Sequence, residues 1–268
     1  MINRTQQMRR KQTADDKSRE LTEWYKQPLG QRLLEAEQEL LDEVLPELFG
    51  YHLIQLGSIT EDNLLGNSRI HHCSVIDECA TAPRVTCCAS ADSLPIDSDS
   101  VDVVVMPHTL ENARDPHQVL REVDRILIAE GHAVIMGFNP WSLWGGWRLA
   151  AKFSDRFPWN GHFRSISRIK DWCKLLGFDT LSCHHYFYRP PIKHNGVMNK
   201  LQFMERIGHR WQPPFAAGYM LLTRKRESML TPVRPSWPAR QSLLGAKGLA
   251  RPTARDNIHY LYSNSKND

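Results

Sequence analysis

Apolar positions early in the chain recur with the period of a helix. Leu33, Leu34, Leu40, Leu41, Val44, Leu45 and Leu48 fall on one stripe, which predicts an amphipathic helix over Gln31–Phe49. Beyond it the period changes. Tyr51–Gly57 is a short apolar run entering a turn, Arg69–Asp77 and Arg84–Ala89 read as strands, and Val101–Met106 reads as a buried strand with one polar residue, Asp102. Asp115–Ala129 is the clearest helix. Asp115 is placed to cap it, Pro116 suits its first turn, Val119, Leu120, Val123, Ile126 and Leu127 line one face, and Gly131 follows as its stop. His132–Phe138 is the next strand. Ser167–Leu176 reads as a helix with Ile169, Trp172, Cys173 and Leu176 on one face, then Thr180–Tyr188 as a strand, Val197–Ile207 as a helix and Gly218–Lys225 as a final strand. Strands alternating with helices predict an α/β domain whose mostly parallel sheet is covered on both faces, with an antiparallel edge among the last two strands.

Composition changes this picture little. Of 268 residues, 41% are hydrophobic and 24% charged, ordinary globular values that exclude collagen, a coiled coil and wholesale disorder. No apolar run approaches the roughly 20 residues of a membrane span. The polar first 19 residues lack the apolar core of a signal peptide, so the expected location is the cytoplasm, with reduced cysteines.

Charge is more informative. The net +4 hides a partition: residues 1–19 carry six Lys/Arg against two acids, 20–223 carry 19 against 25, and 224–255 carry eight against one. An acidic body with basic ends is not the footprint of a domain whose folded face grips nucleic acid, so no specific nucleic-acid partner is expected. The chain divides into a flexible basic N-terminus (1–19), a domain (20–227) and a disordered basic tail (228–268) marked by Pro232, Pro235, Pro238 and Pro252.

Three clusters suggest chemistry. His108, Glu111 and Asn112 follow the Val101–Met106 strand, at the edge where ligands of open α/β sheets sit, and His is the side chain suited to proton exchange near neutral pH. His71, His72, Cys73, Cys79, Cys87 and Cys88 lack the paired spacing of a zinc site, so no metal is expected. Asn139–Trp147 carries three tryptophans in seven residues. If Ser142–Phe157 is helical, Arg148, Lys152 and Arg156 form a basic stripe beside them. That segment reads either as a lid packed on the core or as an aromatic lid over a hydrophobic substrate in contact with a membrane surface.

Leu94-Pro95, the strand Val101–Met106, His108, Leu110-Glu111, Asp115-Pro116, Leu120-Arg121-Glu122 and the Gly131 turn into the next strand occur in an order that resembles the class I S-adenosylmethionine-dependent methyltransferases, and within them the type-11 methyltransferase domain. The resemblance extends over about Gln31–Lys225. It implies a Rossmann-like, seven-stranded sheet with its last strand antiparallel, S-adenosylmethionine as cofactor, and methyl transfer to a small, hydrophobic molecule. The alternative is a non-catalytic binding or scaffold member of the fold that has lost its cofactor.

The first half departs from the family pattern. Where the first strand should end in an acid and three glycines, this chain has Gln55 for the acid, Gly57 for the first glycine, and Ile59 and Glu61 for the others. Only Ser58–Ser68 and Glu78–Pro83 separate the first three strands, so the first-half helices are shortened. By the resemblance, Gly57 lies under the methionine part of the cofactor and Asp77, with Glu78 beside it, meets the ribose. Strict counting puts Ser90 at the adenine contact, with Asp92 close by. His108 becomes the candidate catalytic group, and Asn112, Asn139, Trp141 and Trp144 face the acceptor. Ile59 is expected to intrude into the pocket and weaken cofactor binding. The oligomeric state is not legible.

Overall fold

A computed structural model describes residues 19–150, 161–191 and 215–226. The chain divides into a body, Met1–Ser228, and a segment, Met229–Asp268, which lies wholly outside the described residues. So do the expected helix Val197–Ile207, the outer part of the expected Ser142–Phe157 helix, and the expected disorder of both ends.

Two N-terminal helices precede the sheet. Residues 19–25 are helical (α1) and lead into α2 (Pro28–Val44). Proline fits the start of α2, where its missing N–H has no partner to lose, so the helix begins three residues earlier than its apolar stripe suggested. It ends earlier too. Pro46 cannot continue the hydrogen-bond ladder, and the chain tightens into a 3-10 turn over Leu45–Glu47. A Cβ at Gly30 would lie 2.3 Å from the Trp24 carbonyl oxygen, so glycine lets α2 start directly against α1.

The strands are β1 (His52–Leu56), β2 (His72–Asp77), β3 (Cys87–Cys88), β4 (Val101–Pro107), β5 (Leu127–Phe138), β6 (Phe178–Tyr186) and β7 (Gly218–Lys225). They form one seven-stranded sheet in the order β3-β2-β1-β4-β5-β7-β6. Pairing is parallel from β3 to β5, and β7 is antiparallel to both β5 and β6. The reversed strand is therefore interior rather than at the edge, with β6 outermost. The sheet is the α/β, class I methyltransferase-like arrangement that the resemblance implied.

The central strands are buried on both faces, and successive residues serve opposite cores. Leu53, Val103, Val105, Val134 and Met136 pack with α1 and α2, while Ile54, Leu56, Val104, Met106 and Ile135 pack with the helices α4 (Pro116–Ile126) and α6 (Ile166–Leu175). Each such aliphatic contributes roughly 1.5–3 kcal/mol by leaving water. Asp102, the lone polar residue read in β4, accepts the backbone N–H groups of Tyr51 and His52, both at 2.9 Å, and so anchors the start of β1.

No described helix joins β1 to β2 or β2 to β3. The β1–β2 connection instead sends Ile59, Leu64, Leu65 and Ile70 into the core beneath α2, which does the covering a crossover helix would do. A four-residue helix, α3 (Thr109–Asn112), follows β4 directly. Helix α4 starts as expected, with the Asp115 carboxylate accepting from the N–H groups of His117 and Gln118. It stops at Ile126 rather than Ala129, because Leu127 turns extended and pairs with Val101 as the first residue of β5. Helix α5 (Leu143–Ala150) follows β5.

Candidate functional site

Strand order reverses between β1 and β4, and in an open α/β sheet that switch opens a crevice at the carboxyl edge. A cleft lies there. Its floor is Gly57, Ser58 and Ile59 after β1, and Pro107, His108 and Thr109 at the end of β4. One wall is Ile76, Asp77 and Glu78 at the end of β2 with Ala89–Asp92 after β3. Leu21 of α1 and the Asn112–Asp115 turn close the other sides.

The floor turn needs glycine. Gly57 has φ +89°, and a Cβ there would lie 3.3 Å from the Thr109 hydroxyl oxygen and 3.9 Å from the Pro107 carbonyl oxygen. Gln55 explains its own departure from the family pattern, since its side-chain amide donates to the Gly57 carbonyl at 2.8 Å and stiffens the turn. A carboxylate cannot make that bond. The Thr109 hydroxyl donates to the Leu56 carbonyl and ties the ends of the neighbouring parallel strands β1 and β4.

Asp77 organises the wall. Its carboxylate accepts the Ser58 N–H at 2.8 Å from one oxygen and the Cys79 N–H at 2.8 Å from the other, which joins the ends of β1 and β2. A carboxylate accepts about four hydrogen bonds, so this role is compatible with ligand hydroxyls. The Ser90 hydroxyl donates to the Glu78 carboxylate, and Asp92 stands half-buried beside it. Bare backbone at Gly57, carboxylates along one wall and apolar Ile76, Ala89 and Ala91 between them suit a long ligand with hydroxyls and a flat ring. S-adenosylmethionine has those parts.

The Ile59 backbone does not behave as expected. It is not among the residues with positive φ, so its position needs no glycine, and it is 1% exposed, packed into the core with Leu64 and Leu65. It lines the cleft floor as part of a filled core.

His108 occupies a closed network. The ring is 0% exposed, with Nδ1 2.9 Å from a Glu111 oxygen and Nε2 2.9 Å from a Glu37 oxygen. The Tyr25 hydroxyl donates to Glu37 at 3.2 Å and the Tyr186 hydroxyl does so at 3.2 Å, while the Phe138 N–H donates to Glu111. Burial works against a charge on the ring, but the two carboxylates prevail and push its pKa from 6.5 up to about 10. Burial, then Glu37, hold Tyr25 and Tyr186 well above the usual phenol range. His108 therefore stands as an imidazolium fixed between two acids rather than a neutral imidazole offered to the cleft.

Six of the sequence-read residues meet at the cleft: Gly57, Asp77, Ser90, Asp92, His108 and Asn112. Three do not line it. Asn139 is buried and staples β5 to the approach of β7, its side chain donating to the Ala216 carbonyl at 3.2 Å and accepting the Trp141 N–H at 3.0 Å. Trp144 is 0% exposed, stacks on Phe138 and donates from its indole to the Arg189 carbonyl at 2.9 Å, so it is core rather than lid. Trp141 is 76% exposed. The reading missed Glu37, Tyr25, Thr109 and Tyr186. Glu37 had a signal, because it lies on the stripe of Leu33, Leu40 and Leu41, where a charge demands a buried partner.

Residues 71–135 match a family model described as a methyltransferase domain. The uncharacterized protein YafS of Escherichia coli strain K12 is 30% identical over 208 residues, covering 78% of this chain and 82% of that protein. A SAM-dependent methyltransferase of Thermotoga maritima superposes with a TM-score of 0.54 at 16% identity, over 71% of this chain and 88% of that one. The cyclase SpnF superposes with a TM-score of 0.51 at 14% identity, over 70% and 79%.

Proposed function

The chain belongs to the class I S-adenosylmethionine-dependent methyltransferases, with S-adenosylmethionine as its cofactor, and from that membership we propose that it methylates a small, hydrophobic acceptor at the β1–β4 crevice. The observation that carries the reading is the bare Gly57 turn facing Thr109 within a cleft that also gathers Asp77, Ser90 and Asp92.

The bound cofactor supplies a methyl group on a sulfonium, ready for in-line displacement. The chain's part is to position and to exclude water. Gly57 leaves its backbone open to the methionine portion. Asp77 accepts from the ribose hydroxyls while holding the Ser58 N–H in place. Ser90 and Asp92 receive the adenine edge, and Ile76 and Ala91 pack its faces. Asn112, which donates to the His108 carbonyl at 3.4 Å and stands exposed at the cleft, meets the acceptor. His108 acts here as a positioning residue. Its imidazolium locks the turn that carries Thr109 and Asn112, and a fixed cation between two acids is no base at neutral pH. The acceptor is therefore one whose nucleophile needs little help in losing a proton, or loses it to water.

A second reading, a non-catalytic binding member of the fold, draws on the same closed network, which removes the candidate base from the cleft. Calorimetric titration with S-adenosylmethionine and S-adenosylhomocysteine tests the first reading. Binding weakened by Asp92→Ala supports it, and transfer of labelled methyl to a hydrophobic extract separates enzyme from binder. No binding at millimolar cofactor sinks the first reading and leaves the second, a member of the fold that has lost its cofactor.

A further inference from the structure

The carboxyl edge that holds the cleft carries a second feature. Asn139, directly after β5, opens a segment ending in α5, and the segment is split in two. Trp144 is wholly buried and locked by Phe138 and the Arg189 carbonyl. Around it Trp141, Leu143 and Trp147 are 76%, 54% and 54% exposed. A Cβ at Gly146, between them, would meet nothing within 4 Å. Large apolar side chains are thus held out in water on a rigidly anchored base, where packing alone would have drawn them in.

Charge changes sign at the same point. Residues 20–138 carry seven Lys/Arg against 21 Asp/Glu, whereas the described residues among 139–223 carry six against two. Arg148 lies on α5 itself, its guanidinium 5.2 Å from the centre of the Phe163 ring. Projecting tryptophans on a stretch of chain with excess basic charge suit one environment, the interface of an anionic bilayer, where indoles seat at the headgroups and Lys/Arg meet lipid phosphates. A protein partner would need a complementary acidic and apolar surface. A second copy of this chain would bring its own Arg148 and the same basic stretch against this one.

We propose that Trp141, Leu143 and Trp147 dock the molecule on an anionic phospholipid surface. All four strands β1, β2, β4 and β5 end at this edge, so docking brings the cleft's side of the sheet to the lipid, where a hydrophobic acceptor resides. The docking stands on exposure and charge and does not depend on methyl transfer.

Co-sedimentation of the full chain with phosphatidylglycerol vesicles and with phosphatidylcholine vesicles, at low and high salt, tests it. The expected result is binding to phosphatidylglycerol that weakens with salt, with a blue shift of tryptophan emission. Replacing the three exposed side chains together (Trp141→Ser, Leu143→Ser, Trp147→Ser) should cut the bound fraction about tenfold, a step the loss of three interfacial anchors predicts. Because they are exposed, the fold should hold, and an unchanged unfolding midpoint checks that. Gly57→Val should leave vesicle binding intact even where it abolishes cofactor binding, which keeps the two proposals apart. No binding to phosphatidylglycerol at low salt overturns the proposal. So does equal binding by the triple variant, which would place the contact on other basic residues, and so does a dimer that the triple variant dissolves without any lipid binding.

Discussion

The His108 ring and the Glu37 carboxylate, 71 residues apart in sequence, lie 2.9 Å apart with neither more than 1% exposed. This contact ties α2, an element before the sheet, to the turn after β4 that floors the cleft. His108 also holds φ +53°, a left-handed conformation that costs a residue with a Cβ roughly 1–2 kcal/mol. The surroundings over-determine it: Glu111 takes the other ring nitrogen, and Asn112 donates to its carbonyl.

Removing the cation should therefore cost more than removing one acid. His108→Asn keeps a side chain that tolerates left-handed backbone but leaves two buried carboxylates facing each other, and should destabilise by roughly 3–5 kcal/mol. Glu37→Gln retains an acceptor for the ring and the two tyrosines, and should cost about 1–3 kcal/mol. Urea unfolding midpoints compare the two. Equal losses would mean that the charge on His108 does not matter to the clamp.

Much of this molecule was readable from periodicity. The alternation of Leu53 to Leu56 and of Val101 to Met106 marked buried strands, and Asp115-Pro116 marked a helix start, because burial and capping leave local signatures. The clamp left only half a signature. Glu37 on an apolar stripe announces a partner, but nothing local says that the partner is His108, since long-range pairing is set by how α2 lies on the sheet. Trp141, Trp144 and Trp147 look alike in sequence. Only the seating of α5 against Phe138 separates one core residue from two exposed ones. The Ile59 reading assumed the family's loop, but its backbone needs no glycine, although the residue does line the cleft floor. Here the connection dives into the core, and conformational freedom is needed at Gly57 alone.

Ile59→Gly follows from that correction. Restoring the family's glycine should not tighten cofactor binding. It removes a side chain that is 1% exposed and should cost about 2–5 kcal/mol, as large-to-small core changes do. Thermal unfolding and cofactor titration of the same variant decide it. A tighter complex without loss of stability would put the Ile59 side chain back in the pocket's way.

Two substitutions at the cleft floor should separate fold from binding. Gly57→Val forces a branched side chain into φ +89° and against Thr109, so S-adenosylhomocysteine affinity should fall at least about tenfold, equivalent to roughly 1.4 kcal/mol. Asp77→Asn turns an acceptor into a donor facing the N–H of Ser58 or Cys79, and should weaken binding comparably while speeding proteolysis between residues 58 and 79. Unchanged affinity in both variants would move the cofactor away from this edge.

Stability should also depend on pH through the clamp. The folded pKa of His108, about 10, lies above its ordinary 6.5, so the folded state holds a proton that the unfolded chain releases. Its stabilisation is complete below about pH 6.5 and drains away as pH rises from there towards 10. The groups facing the ring are Glu37 from α2, Glu111 from α3, Tyr25 from α1 and Tyr186 from β6, with Tyr219 of β7 beside Glu111. Burial holds all three phenols above their usual range, so they stay neutral through this window. His132 and His185 are shifted the other way by burial, and they subtract stability only on the acid side. Urea midpoints measured across this range should fall steadily for the parent chain and stay nearly flat for His108→Asn. A parallel decline in both proteins would assign the alkaline loss to another group and leave the imidazolium without a role in it.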